Sequence, residues 1–299
     1  MRSYRYLHLD VFTAHPFEGN QLAVFPEPDG LSTETMQTIT REMNFSECTF
    51  IFPAERGGDV KMRIFTPGKE LPIAGHPTIG SAFALAIEGT IRHAHEQIVF
   101  ELGVGPTPVT LEWDAHGLAF AWMTQPLPSF GAEIAERGQV AAALGVNGAD
   151  LVEGLPVQEV SCGVSFLYVP LRSREAVDRV VADRRAAEQC CRGAGLPELP
   201  IFVFALDEDG LYSRMLAPAF GIAEDPATGS AGGPLGSYLV HHGVVRGEAA
   251  RSLVNLQGAA MKRPSRIHIA IDAEGDRITR VRVGGQAVLV GRGEIFVDA

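Results

Sequence analysis

The chain has 299 residues, 46% of them hydrophobic, enough for two ordinary cores and too apolar for a disordered polypeptide. Its 36 acidic against 25 basic residues give a formal net charge of -11, which opposes binding to nucleic acid or to an anionic membrane surface. An acidic substrate must therefore meet positive potential that is local.

No apolar run approaches the ~20 residues that span a bilayer, and the opening MRSYRYLHLDVF alternates like a strand. A cytoplasmic protein is expected. Cys48, Cys162, Cys190 and Cys191 form no CxxC pair, so they are expected to be reduced thiols.

In chain order, RYLHLDVF and QLAVF read as strands, followed by a helix over STETMQTITREMN with Ser32 at its start and Glu34 in its first turn. CTFIF and VKMRIF are strands. GHPTIGSAFALAIEG, from Gly75, is a nearly all-apolar helix, and QIVFEL, PVTLEW and LAFAWM complete the first half. The polar stretch from Gln125 to Asp150 is the expected crossing to a second half. There VSFLYVPL and IFVFAL flank SREAVDRVVADRRAAEQCC, an amphipathic helix by its pattern. A second apolar helix, GSAGGPLGSYLVHHG from Gly229, precedes the strands SLVNL, RIHIAI and AVLV, and QAVLVGRGEIFV is expected to return to the first half.

The two apolar helices align. Gly75 falls on Gly229, Leu85 on Leu239 and Gly89 on Gly243; upstream, RIFTP from Arg63 echoes RMLAP from Arg214 after a slip of three residues. This spacing indicates an internal duplication of one strand-rich unit. A helix without a polar face must be buried, so each unit is expected to be a sheet wrapped around its helix.

Each glycine-rich helix start presents unpaired amides and the positive end of a dipole, an arrangement suited to an anion, although such glycines can also simply permit close packing. Three ionisable residues lie near these turns. Asp225 precedes Pro226, where a turn residue or cap is the ordinary account; His76 sits in a first turn, where the dipole opposes protonation; Glu47 stands where a helix hands over to an apolar strand. A solvated carboxylate is the plain alternative for Glu47. If Phe45, Phe50 and Phe52 surround it, desolvation raises its pKa toward the range useful for proton transfer. Arg263 is either an anion contact or surface. His93 with His95, and His241 with His242, lack zinc-site spacing, and no GxGxxG, GxxxxGKS or GxSxG motif is present, so neither a metal nor a nucleotide cofactor is expected.

The blocks DVFTAHPFEGNQLAVF, NFSECTF, RIFTPGKELPIAGHPTIG, EDPATGSAGG, QGAAMKRPSRI and VRVGGQAVLVGRG resemble the phenazine-biosynthesis PhzF-like family across nearly the whole chain. The resemblance implies an α+β, diaminopimelate-epimerase-like fold: two pseudo-symmetric lobes, each a strongly curved, mostly antiparallel sheet around a central helix, with the site in the cleft between them. The lobes would comprise 1–124 with the returning strand 286–299, and 125–285. It also implies a homodimer and a cofactor-independent isomerase of a small acidic metabolite such as a dihydro-hydroxyanthranilate. Glu47 matches the proton-carrying glutamate; His76, Asp225, Ser230, Gly75 and Gly229 match substrate-binding positions. Ala74 and Thr228 stand where related epimerases carry cysteines, which argues against a two-thiol mechanism, and Lys262 stands where the family often has Gly. A same-fold hydrolase cleaving a carbon–carbon bond and a non-catalytic metabolite-binding protein are the alternatives.

Overall fold

The computed structural model describes residues 1–208 and 210–298, and the chain divides into two compact units. Unit 1 comprises Met1–Thr124 and the residues from Val283 onward. Its elements are β1 (Arg2–Val11), β2 (Asn20–Phe25), α1 (Thr33–Met43), β3 (Glu47–Pro53), β4 (Val60–Phe65), β5 (Glu70–Leu71), α2 (Gly75–Ile87), β6 (Gln97–Leu102), β7 (Gly105–Asp114) and β8 (Gly117–Gln125). The strand Ala287–Val297 returns from the far end of the chain and pairs antiparallel with β1, Arg2 opposite Val297.

Local signals place these elements. Ser32 accepts the Thr35 amide at the start of α1, and Asn44, at φ 53°, ends it in the left-handed region with its N–H on the Thr40 carbonyl. α2 has no polar face: every residue from Gly75 to Leu85 is buried, and the helix packs against β1, β2, β3, β7 and the returning strand. Burying Ile79, Phe83 and Leu85 stabilises the fold by roughly 1.5–3 kcal/mol each.

Unit 2 spans Gln125–Arg282. It contains β9 (Ser129–Ile134), α3 (Arg137–Ala143), β10 (Val157–Ser161), β11 (Ser165–Pro170), α4 (Arg174–Asp178), α5 (Arg184–Gly193), β12 (Ile201–Asp207), β13 (Gly210–Ala217), β14 (Ile222–Asp225), α6 (Gly229–His241), α7 (Glu248–Arg251), β15 (Leu253–Gln257), β16 (Ser265–Glu274) and β17 (Arg277–Gly285). α6 is buried from Gly229 to Leu239 except at Ser230, against β10, β11 and β16.

The duplication extends to strand pairing. In unit 1, β1 pairs antiparallel with β2, β2 parallel with β3, β3 antiparallel with β4, β4 antiparallel with β5 and parallel with β6, and β6 antiparallel with β7. The order β10, β11, β12, β13, β14, β15, β16 repeats each of these pairings, parallel for parallel. The returning strand occupies beside β1 the place that β9 occupies beside β10.

Three expectations change. The stretch 173–191 is not one helix: after Asp178 the backbone leaves α4, the Val181 and Asp183 amides bond to the Leu144 and Ala143 carbonyls at the end of α3, and the Asp183 side chain caps α5 by accepting the Ala186 amide. A tertiary contact with α3 outcompetes the helical pattern. Second, most of the polar crossing Gln125–Asp150 is folded, as β9 and α3. Third, β10, β13 and β17, with the short β5 and β14, are strands that the sequence pattern does not reveal. All four cysteines are buried free thiols, and among the described residues no helix is long and apolar enough to cross a membrane.

Tight helix packing makes one glycine sensitive. A Cβ at Gly236 of α6 would lie 2.6 Å from Ile269 Cγ2 and 2.9 Å from Ile271 Cγ1, both fully buried. Gly236→Val overpacks this contact without a compensating gain in helix propensity, and is expected to cost about 1–3 kcal/mol, measured as a lowered thermal midpoint.

Candidate functional site

Glu47 is the first residue of β3, two residues beyond Phe45 and beside Leu22 of the parallel neighbour β2. Strand alternation then decides its surroundings. Cys48, Phe50 and Phe52 turn to one face, into a cluster with Tyr4, Phe25, Met36, Ile39 and Phe65 on the α1 side. Glu47 and Thr49 turn to the other, where the Thr49 hydroxyl lies 2.9 Å from Ser81 of α2. The expected desolvation of Glu47 by Phe50 and Phe52 is therefore not what the structure shows, because those rings occupy the opposite side of the strand. Phe45 lies against His8, ring centroids 4.7 Å apart and planes tilted by 31°, and packs against the same aromatic cluster.

What Glu47 meets instead is α2. Its Oε2 lies 3.3 Å from His76 Nε2, with 16% of the Glu47 side chain and 4% of the His76 side chain exposed. The other ring nitrogen, Nδ1, is 3.4 Å from Asn20 Nδ2 at the start of β2. Burial pushes the imidazole pKa down from 6.5 to about 3, against a smaller opposing effect of a hydrogen bond to the Gln21 backbone. His76 is thus neutral at neutral pH, and charging it in place costs on the order of 5 kcal/mol. A neutral partner leaves the Glu47 carboxylate out of a full ion pair while still offering it a polar neighbour.

Cys48 contributes no chemistry here. It is fully buried, and desolvation pushes its thiol up to about 12. Among the described residues, no three His, Cys, Asp or Glu side chains are grouped to hold a metal ion.

In unit 2, Asp225 ends β14 and is buried. The Thr228 hydroxyl donates to its Oδ2 at 2.5 Å, and Gln257, itself fully buried, ties the turn together: Nε2 donates to the Asp225 carbonyl at 2.8 Å and to Thr228 Oγ1 at 2.9 Å, while Oε1 accepts the Thr228 amide at 3.2 Å. Thr228 is the N-cap residue of α6, but with its hydroxyl committed to Asp225 it makes no side-chain cap. Ala74, the N-cap residue of α2, has no side chain able to cap. Both helix starts, at Gly75 and Gly229, therefore lack side-chain capping. Ser230 is half-buried. Lys262 adopts φ 59°, a left-handed conformation that glycine takes without the penalty a side chain brings.

A family model described as "Phenazine biosynthesis-like protein" matches residues 9–293. The chain belongs to this family. It is 34% identical to a trans-2,3-dihydro-3-hydroxyanthranilate isomerase of Pseudomonas aeruginosa, the alignment covering 98% of this chain and 100% of the relative. Among solved structures, a PhzF-family phenazine biosynthesis protein of Bacillus anthracis superposes with a TM-score of 0.87 at 26% identity, over 99% of this chain and 100% of that one. A probable proline racemase from Agrobacterium radiobacter, with 12% identity and a TM-score of 0.70 over 99% and 93% of the two chains, shares the fold alone. The protein is accordingly a PhzF-type isomerase with the α+β fold of that family.

The structure brings Glu47 and His76 into contact, as two members of the set read from the sequence, and gathers Asp225 with the start of α6. Sequence reasoning missed Asn20, Thr228 and Gln257. All three sit inside blocks that carry the family resemblance, Asn20 in DVFTAHPFEGNQLAVF, Thr228 in EDPATGSAGG and Gln257 in QGAAMKRPSRI, and were recoverable as candidates; that Gln257 meets Asp225, 32 positions away, is visible only in the fold.

A pH dependence follows from His76. Its pKa is lower in the folded state than in the unfolded one, so above pH 6.5 both states are neutral and stability is unaffected. As pH falls from 6.5 toward about 3, the unfolded state alone takes up the proton and stability is lost. Denaturation between pH 6.5 and 4.5 should show a steeper loss in the wild type than in His76→Asn, by up to about 1.4 kcal/mol per pH unit; parallel curves would contradict a buried neutral imidazole.

Proposed function

We propose that Glu47 carries a proton from one carbon to another of a small cyclic acid or amino acid, of the kind named for the relatives, trans-2,3-dihydro-3-hydroxyanthranilate. The observation that carries this reading is the partly exposed Glu47 carboxylate held 3.3 Å from a buried, neutral His76 at the first turn of α2. The carboxylate accepts a proton from an activated C–H, the electron pair shifts through the conjugated system, and the same carboxylic acid returns the proton to a second carbon. Atoms balance: nothing is gained or lost, and the step needs no metal, redox group or nucleotide.

The asymmetry of the duplication supports a single carrier. Phe50 lies opposite Arg63 and Val203 opposite Arg214, so the position corresponding to Glu47 is Pro200, and the second residue of α6, corresponding to His76, is Ser230. A racemase working with one acid/base group from each half would need ionisable groups in both copies. We assign Asp225, Ser230 and the amides at Gly75 and Gly229 to binding the polar groups of the substrate, with His76 as a neutral hydrogen-bonding partner.

Mass spectrometry of trans-2,3-dihydro-3-hydroxyanthranilate incubated with the protein in light and heavy water tests this. The wild type should give an isomer of unchanged mass in light water. Glu47→Gln should retain the thermal midpoint and lose about 10²–10⁴-fold in kcat. A product heavier by one water would replace isomerisation with hydrolysis, and full activity in Glu47→Gln would remove the carrier.

A further inference from the structure

A largely buried, two-bond ion pair of unit 2 lies next to Asp225 in sequence. Arg214 of β13 holds Glu224 of β14 in a two-bond fork, Nε to Oε1 at 3.0 Å and Nη2 to Oε2 at 2.7 Å, and the two side chains are only 12% and 13% exposed. The third arm of the guanidinium points the other way. Nη1 donates to the carbonyls of Val177 at 3.1 Å, Asp178 at 3.2 Å and Val180 at 2.9 Å, at the end of α4. Arg214 thus anchors the short strand carrying Asp225 to a helix end on the opposite side.

Unit 1 contains the same device. Arg63 of β4 forks onto Glu70 of β5, Nε to Oε1 at 2.7 Å and Nη2 to Oε2 at 2.6 Å, and its Nη1 reaches Thr33 at the start of α1 at 3.0 Å. Glu70 and Glu224 each stand five residues ahead of the first residue of the apolar helix, Gly75 and Gly229. Between clasp and helix the copies have diverged: Leu71, Ile73 and Ala74 in one, Asp225, Ala227 and Thr228 in the other. The clasp is kept while the residues it delivers have changed. An ordinary surface ion pair contributes little to stability and has no reason to persist in both copies at one spacing. A guanidinium fork fixes orientation as well as distance, which a lysine ammonium does not.

We propose that these clasps are positioning devices for the two helix starts, and that Arg214, acting through Glu224, holds Asp225 in the orientation that binds substrate. The second half of this statement rests on the assignment of Asp225 as a substrate contact.

Arg214→Lys keeps the charge and removes the fork. With trans-2,3-dihydro-3-hydroxyanthranilate as substrate, it should raise KM about 10-fold with kcat within about 3-fold of wild type, since a positioning defect acts on binding geometry. Glu224→Gln should do the same. Arg174→Lys, which breaks another forked pair of unit 2, with Asp207, is the control and should leave KM unchanged. In an Asp225→Ala background Arg214→Lys should add no further rise in KM, whereas a merely structural arginine would give a multiplicative effect. An unchanged KM in Arg214→Lys, or full additivity with Asp225→Ala, overturns the proposal. If Asp225→Ala itself leaves KM untouched, or the wild type does not turn over this compound, the functional assignment fails separately. The clasp is then decided by amide hydrogen exchange over residues 225–232: faster exchange in Arg214→Lys but not in Arg174→Lys supports it, and equal exchange in all three proteins overturns it.

Discussion

The constraint on which this structure depends is the burial of a helix on every side. α2 and α6 have no polar face, so no single flat sheet can cover them, and the strands of each unit must curve until the helix is enclosed. Enclosure makes small residues obligatory along the helix: Gly80 packs where a Cβ would lie 2.6 Å from Leu22 Cδ2, and Gly236 meets Ile269 and Ile271. It also determines where polarity can survive. The body of an enclosed helix can hold only groups with internal partners, such as Ser81 with Thr49 or Ser237 with the Gly233 carbonyl. The first turn, with its unpaired amides, is the natural place for chemistry, and His76 and Ser230 stand there.

Duplication and divergence divide the labour within this frame. The two copies share strand pairing, the central helix and an Arg–Glu clasp, yet Glu47 and His76 occur in one and Asp225 with Thr228 and Gln257 in the other. The scaffold is repeated because both helices impose the same packing problem. The side chains at the helix starts are released from that problem and were free to specialise.

Much of this was legible in the sequence. The apolar helices, their alignment, most strands and the residues Glu47, His76 and Asp225 could be read directly, because periodicity, glycine-rich helix starts and family blocks are local signals. Failures came where a distant partner decides the outcome. The apparent helix 173–191 breaks because α3 offers carbonyls to Val181 and Asp183. Glu47 was placed among Phe50 and Phe52 by proximity in sequence, although the two-residue period of a strand puts Phe50 and Phe52, an odd number of positions away, on the other face. The Glu70 and Glu224 clasps share a register that the duplication contained, but only the paired strands show which arginine each one meets.

The strand Ala287–Val297 fills beside β1 the position that β9 fills in the second copy, so one unit borrows its flank from the opposite end of the chain. During synthesis the two copies cannot mature in the order in which they are made. The last strand of unit 2 has been translated by Gly285, whereas β1, made before any strand of unit 2, keeps an open edge until the returning strand has been synthesised. The half that carries Glu47 and His76 is thus begun first and closed last, and its long-range closure makes it the slower part to fold and the part most exposed to mispairing on the ribosome.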